Sequence, residues 1–290
     1  PASLNVGFAS ANGKYFTWTS DGNVAKPNWL SVLVGYLDKN PDVDMVSAMM
    51  DYIDENRPEL TYLGINRSQK DQNENIYVYE KNGMKVAILN YTYGTNGIPL
   101  PADMPYAVDL LEKEQVVAHI EKAEMLADFT IVCPHWGTEY VLEETKAQRQ
   151  WAEVFLEHGV DLVLGTHPHV IEPIELMRDE ATGHEMLVYY SLGNFVNWTG
   201  ESGSGIANRM VGGMAQVTLE LKDDKVVISE YEVEPVGSHL EQGVNGVTVY
   251  KLADYTEELA DKNQIRLQDS AFSKEYCEQL VDEVFKEIDK

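Results

Sequence analysis

The chain has 290 residues, with 48 Asp and Glu against 22 Lys and Arg, a formal net charge of −26 at pH 7. A surface so negative repels nucleic-acid phosphates and anionic lipid, so neither is expected as a partner without bridging cations. With 44% hydrophobic and 24% charged residues the chain can bury a sizeable core, which excludes global disorder.

The first eighty residues are the least legible. "SLNVGFAS" reads as a strand, "PNWLSVLVGYLDKN" and "VSAMMDYIDEN" as helices, and "GINRSQKDQNENIYVYEKNG" as a polar loop leading into a hairpin. No basic-then-apolar start marks a signal peptide, and no run approaches the roughly 18 apolar residues of a membrane span. From there strands and helices alternate. "MKVAILNY" (84–91) is a buried strand, and 112–127 a helix with Val116, Ile120, Ala123 and Ala127 at helical spacing. "DFTIVC" (128–133) is a strand, and 144–159 a helix with Ala147, Trp151, Val154, Phe155 and His158 on one face, closed by Gly159. "VDLVLG" (160–165) and "EMLVYYSLGNF" (185–195) are two further strands. After residue 213 the period becomes two: "AQVTLEL" (215–221), the turn "KDDK" and "VVISEYEVEPV" form an antiparallel hairpin with one wet face. Residues 273–290 form an amphipathic terminal helix. Strands alternating with helices argue for a mainly parallel sheet in an α/β architecture, whose ligands bind beyond the carboxyl ends of the strands. A single domain over 1–290 is expected, with 84–213 as its α/β core and the hairpin and terminal helices in 214–290.

The residues with chemical potential follow those strands. Among seven histidines, His167 and His169 flank Pro168 just after "VDLVLG". Proline favours extended geometry before it, so both imidazoles are expected on one side of an extended segment, two residues apart. Alone this pair is equally well a turn with two hydrogen-bonded histidines. His135 stands at the tip of the preceding strand in "CPHWGTEY", and a short crossover helix makes the two strands neighbours. Three imidazoles then meet in one crevice, a donor set for Mn, Zn or Fe. Glu139 is the candidate acid/base, and Tyr93, Asn96, Trp136 and Asn194 are candidate substrate contacts. Against these stand plainer readings: a solvated glutamate, a cap packed under Trp136, and turns at Asn96-Gly97 and Gly193-Asn194. Glu172 and Glu175 are weaker candidates. His119, His158, His184 and His239 are read as structural, the first two on helices and the others in polar loops. Cys133 and Cys277 form no C-x-x-C and are read as unpaired.

"HWGTEY", "LVLGTHPHVIEPIE" and "YYSLGNFV", in that order, together with "KVAILNYTYGTNGIPLP", resemble the CapA family of bacterial capsule and poly-gamma-glutamate synthesis proteins, over roughly residues 60–260. The resemblance implies a metallophosphoesterase-like fold, a two-sheet sandwich flanked by helices. It also implies that His135, His167 and His169 match metal ligands. The family's Gly-Asp, Asn-x-Glu and Asn-Asn-His motifs are not found; Asp21 and Asn23 are the nearest substitutes. The fold is therefore expected to be incomplete at its N-terminus and to hold one ion rather than two. The function implied is cell-surface polymer assembly, with the polymer or its synthesis machinery as partner, at the outer face of the bacterial membrane through an anchor outside this chain. Two alternatives stay open: an active metal-dependent phosphoester hydrolase, and an α/β binding domain without metal chemistry. The oligomeric state and the substrate are not legible.

Overall fold

The computed structural model describes residues 61, 63–195, 197–241 and 246–285. The strand and helices expected before residue 60, and Asp21 and Asn23, lie outside the described residues, as does the tail of the terminal helix. A short helix α1 (Gln69–Glu74), capped by the Ser68 side chain, leads into strand β1 (Tyr77–Lys81). A tight turn at Asn82-Gly83, both at positive φ, joins it to β2 (Met84–Thr92), so the polar stretch does open into a hairpin. Helix α2 (Lys113–Leu126), β3 (Phe129–His135), α3 (Lys146–Glu157) and β4 (Leu162–Leu164) follow. Strands β5 (Ile174–Arg178) and β6 (Glu185–Tyr189) complete a six-stranded sheet ordered β1-β2-β3-β4-β6-β5. Its inner strands β2, β3, β4 and β6 are parallel, and both edges are antiparallel.

The period-two segment becomes a second, antiparallel sheet: β7 (Val211–Lys222), β8 (Lys225–His239) and β9 (Thr248–Lys251). Its turn sets Asp223 and Asp224 at φ 51° and 61°, the left-handed pair a two-residue hairpin loop requires. Helices α4 (Glu257–Lys262) and α5 (Lys274–Val284) close the described chain.

The strand period of two explains the layers. On β2 and β6, Ala87, Leu89, Tyr91, Met186 and Val188, with Tyr190 just past β6, face α2 and α3, meeting Val116, Ile120, Ala123, Ala152 and Phe155. The alternate residues Val86, Phe129, Leu162, Leu187 and Tyr189 face the second sheet and pack with Val226, Val217, Ile228 and Tyr231. Both faces of the parallel sheet are thus covered, which is why its strands read as continuous apolar runs. The expected two-sheet sandwich with helices outside is the architecture found.

Several local expectations are corrected. On α3 the buried stripe is Gln148, Ala152 and Phe155, with Ala147 exposed, because Gln148 closes a capping box with Thr145 and turns inward to Glu172. The strand expected to run to residue 195 ends at Tyr189, where Tyr190 N–H turns to Pro173 O and Gly193 takes φ +65°. The strand at 160–165 is trimmed to three residues. His239 lies in β8, not in a polar loop; it is buried, with Nδ1 2.8 Å from the Tyr255 hydroxyl. Both cysteines are free, and Cys277 is buried among α5 contacts.

Candidate functional site

Strand register carries the histidines together. Thr92 pairs with His135 at the exits of β2 and β3, and Tyr93 N–H donates to His135 O at 2.9 Å. Past β4 the pairing continues: His135 bridges Thr166, Thr166 N–H donates to Pro134 O, and Trp136 N–H donates to Thr166 O. Gly165 is needed at this junction, since a Cβ there would stand 2.0 Å from Tyr190 O and 2.6 Å from the Trp136 indole nitrogen. His135 and His167 therefore emerge from adjacent strand tips, with ring centroids 4.5 Å apart; His167 and His169 are 6.4 Å apart. Tyr93 lies over both, 4.6 Å from His167 and 6.1 Å from His135.

The route to this convergence differs from the extended segment expected. His167 has φ +106° and His169 φ +60°, so the His-Pro-His stretch is a strained turn, not a strand. What holds it is external: Tyr140 N–H donates to Pro168 O at 2.7 Å, and the Asn194 amide donates to His169 O at 3.1 Å. Tertiary contacts thus override the local preference of a residue preceding proline.

Asn194 also orients the His169 ring. Both amide hydrogens of Asn194 are engaged, one on His169 O and one on Arg209 O, so its Oδ1 faces His169 Nδ1 at 2.9 Å and can only accept. Nδ1 then carries the hydrogen, and Nε2 keeps its lone pair. Asn197 Nδ2 lies 3.2 Å from the same Oδ1. Thr166 Oγ1 does a weaker version of this for His135, 3.3 Å from Nδ1, while donating toward Pro134 O. Burial, with the neighbouring His167 and His169 adding and Glu139 opposing, brings the His135 imidazole down to about 4. Packing lowers His167 as well, against the pull of Glu139. These two imidazoles are therefore neutral at pH 7, the form a metal requires.

The other sequence candidates separate. Glu139 is exposed beside the cluster and acts on it as a charge. Asn96 is an αL turn residue at φ 53° whose Oδ1 accepts from the Tyr93 hydroxyl at 2.8 Å; it supports Tyr93 at the rim. Trp136 is a correction: it is 2% exposed, stacked on Phe155 and Tyr190, and its indole N–H donates to Tyr190 O. It is the floor under the site, closed to any ligand. Asn194 is a second correction, because its donors are both used inside the protein. Glu172 is fully buried against Gln148, and Glu175 faces Arg149 and Tyr190. Cys133 lies on β3 partly buried, its thiol pushed up to about 11.

Sequence reasoning missed Thr166, Tyr140 and Arg209. Tyr140 stacks on His169 at 6.0 Å, and the Arg209 guanidinium lies 3.4 Å above the Tyr140 ring. No spacing signal links Arg209 to residues 135–140; the short 3-10 turn Ile206–Met210 brings it there. Among the described residues, no group of three His, Cys, Asp or Glu is already closed around a single point as a metal cage.

With the geometry in place, comparison with known proteins gives the family. Residues 44–199, more than half of the chain, match the family model described as bacterial capsule synthesis protein PGA_cap. The chain is 30% identical over 199 residues to the PGA biosynthesis protein CapA of Bacillus subtilis (strain 168), covering 67% of this chain and 47% of that protein. It is 30% identical over 149 residues to the capsule biosynthesis protein CapA of Bacillus anthracis, covering 49% of this chain and 34% of that one. The chain thus spans about half the length, or less, of these curated relatives. A calcineurin-like phosphoesterase structure from Bacillus subtilis aligns at 14% identity with TM-score 0.30, over 70% of this chain and 58% of that one. No helix among the described residues is long and apolar enough to cross a membrane. The chain belongs to the bacterial capsule synthesis protein PGA_cap family.

Proposed function

We propose that this chain serves the assembly of capsule polymer or poly-gamma-glutamate at the bacterial cell surface, with the crevice of His135, His167 and His169 as its ligand-binding centre. The observation that supports it most is the meeting of three imidazoles at neighbouring strand tips, with the Nδ1 of His169 committed to Asn194 so that Nε2 is left to bind. A protein of net charge −26 engages a polyanionic polymer only with cations between them.

The donor set suits one divalent ion, Zn, Mn or Fe. Neutral imidazoles are preferred ligands for these, and Asn194 and Thr166 supply the outer hydrogen bonds that such ligands need. His135, His167 and His169 are the residues that would hold it. When bound, such an ion supplies Lewis acidity toward a carboxylate or phosphoryl oxygen. The chain's own residues do the rest. Trp136 shields the floor from water, Tyr93 and Tyr140 flank the rings, and exposed Glu139 is the group at hand to hold or release a proton. A second reading, metal-dependent phosphoester hydrolysis, uses the same histidines with Glu139 as acid/base.

Elemental analysis after equilibration with Zn or Mn tests the centre. About one equivalent is expected, lost in the His167→Ala/His169→Ala double variant. No bound metal in the parent protein overturns the metal centre. Poly-gamma-glutamate should bind in the presence of that ion and dissociate on adding EDTA; metal-independent binding or none overturns the polymer reading. Turnover of bis(p-nitrophenyl) phosphate with Mn, abolished in the double variant, would replace it with the hydrolase.

A further inference from the structure

A cation, Arg209, stands beside this crevice, and it is held in an unusual way. Arg209 lies in the 3-10 turn Ile206–Met210 with its side chain only 10% exposed, in a protein whose charge is overwhelmingly negative. Its guanidinium rests on the Tyr140 ring at 3.4 Å, and Tyr140 in turn stacks on His169. Its backbone carbonyl accepts from the same Asn194 amide that orients His169. Arg209 is therefore built into the frame of the histidine cluster.

Among the described residues, its carboxylate partner meets it at one corner. Nη1 makes an ion pair with Glu201 at 2.6 Å and a hydrogen bond to Thr199 Oγ1 at 3.0 Å, while Nε is buried and bonded to nothing. A guanidinium offers paired donors suited to both oxygens of a carboxylate or phosphate, and Glu201 uses only one corner of that fork. Glu201 itself is 63% exposed. Its backbone is tied down separately: Gln268 Nε2 donates to Thr199 O and Glu201 O at 2.7 and 2.6 Å. Rotation of the Glu201 side chain into solvent thus frees Arg209 without moving the loop.

We propose that Arg209 is an oxyanion anchor of the crevice, and that Glu201 is an internal carboxylate occupying it until a ligand carboxylate or phosphate displaces it. This rests on the histidine crevice being the ligand-binding centre, and it adds the chemical class of the group recognised. Glu201 and the ligand compete for one cation, so removing the Glu201 charge tightens binding, and removing the fork weakens it. A purely structural ion pair predicts the opposite for Glu201, since its loss would only loosen the loop.

The test measures binding of glutarate and of inorganic phosphate by calorimetry to the full chain, as parent, Glu201→Gln and Arg209→Lys. Glu201→Gln is expected to tighten binding of one probe by about tenfold, the effect of about 1.4 kcal/mol. Arg209→Lys, which keeps the charge but loses the fork, is expected to weaken it by about tenfold or more. Tightening confined to glutarate assigns a carboxylate ligand; tightening confined to phosphate assigns a phosphoryl ligand. Unchanged or weaker binding of both probes in Glu201→Gln overturns the proposal, as does parent-like binding in Arg209→Lys. The metal content of each variant is measured alongside. Loss of probe response with metal retained refutes the anchor alone, whereas absence of metal in every protein refutes the histidine centre and leaves the Arg209 measurement standing.

Discussion

The two ends of the parallel sheet collect titratable residues in opposite ways. At the exits of β3 and β4, His135, His167 and His169 stand partly open to solvent, with the first two held neutral by burial. At the entries of the same strands the groups are acids. Asp161 accepts from Thr130 N–H at 2.7 Å, Glu124 accepts from the Thr130 hydroxyl at 2.6 Å, and Asp128 accepts from Lys85 N–H at 2.9 Å. They border a cavity of 590 Å³ lined also by His184, Phe129 and Tyr231. The acids of this cavity are spent on backbone amides and a hydroxyl. The comparison teaches that size and acidity do not mark a site. The unspent ring nitrogen of an oriented imidazole does, because its hydrogen bonding is incomplete without a ligand.

Four experiments sharpen or break that contrast. The largest effect is expected from Trp136→Ala, which removes the floor of the histidine end. Losing a fully buried indole and its hydrogen bond to Tyr190 O should cost about 3–5 kcal/mol in urea unfolding. A loss below about 1 kcal/mol would mean that the floor is not tightly packed. Next, Asn194→Ala frees the His169 ring and should weaken Zn affinity by about 10–100-fold, read by competition with a chelating dye. Unchanged affinity would remove the claim that orientation makes the site.

The acid end should respond to pH instead. Burial pushes Asp161 from its ordinary 3.8 up to about 7, with the Thr130 amide and His184 opposing and Glu124 adding. Between those values the native state binds more protons than the unfolded chain. This stability is complete below 3.8 and is lost as the pH rises toward 7, at up to about 1.4 kcal/mol per pH unit. Asp161→Asn should flatten that slope in thermal unfolding while leaving metal binding unchanged; a slope as steep as the parent's would place the titration elsewhere. The smallest effect belongs to Thr166→Val. Its hydrogen bond to His135 is long at 3.3 Å, so Zn affinity should fall by no more than about threefold. A drop as large as that of Asn194→Ala would show that both outer hydrogen bonds matter equally.

Much of this arrangement was legible from pattern. The continuous apolar runs at 84–91 and 128–133 marked strands covered on both faces, and the alternation from 215 marked an antiparallel hairpin with one wet face, which the structure places in a second sheet. Their order placed His135 and the His167–His169 pair at neighbouring tips, because a single crossover helix joins β3 to β4. Less of the site's support could be read. Trp136 resembled a ligand contact because tryptophan beside a histidine looks the same in sequence whether its ring points out or in. Gln148 was placed on no buried face because its value there comes from Thr145 and Glu172, which helical periodicity does not count.

The amino-acid sequence by itself determined the core strands and helices, the adjacency of the strands ending near 133 and 165 and the presence of imidazoles at the strand exits, since these follow from periods of 2 and 3.6 and from a short connection. Only the tertiary structure decided how the histidines are held. The left-handed turn at His167 and His169, the tautomer set by Asn194 and the arrival of Arg209 above Tyr140 all depend on contacts between residues distant in the chain. Such contacts leave no local trace, because each residue's own preference, extended before a proline for His167 or exposed for Arg209, is overruled by partners that only folding supplies.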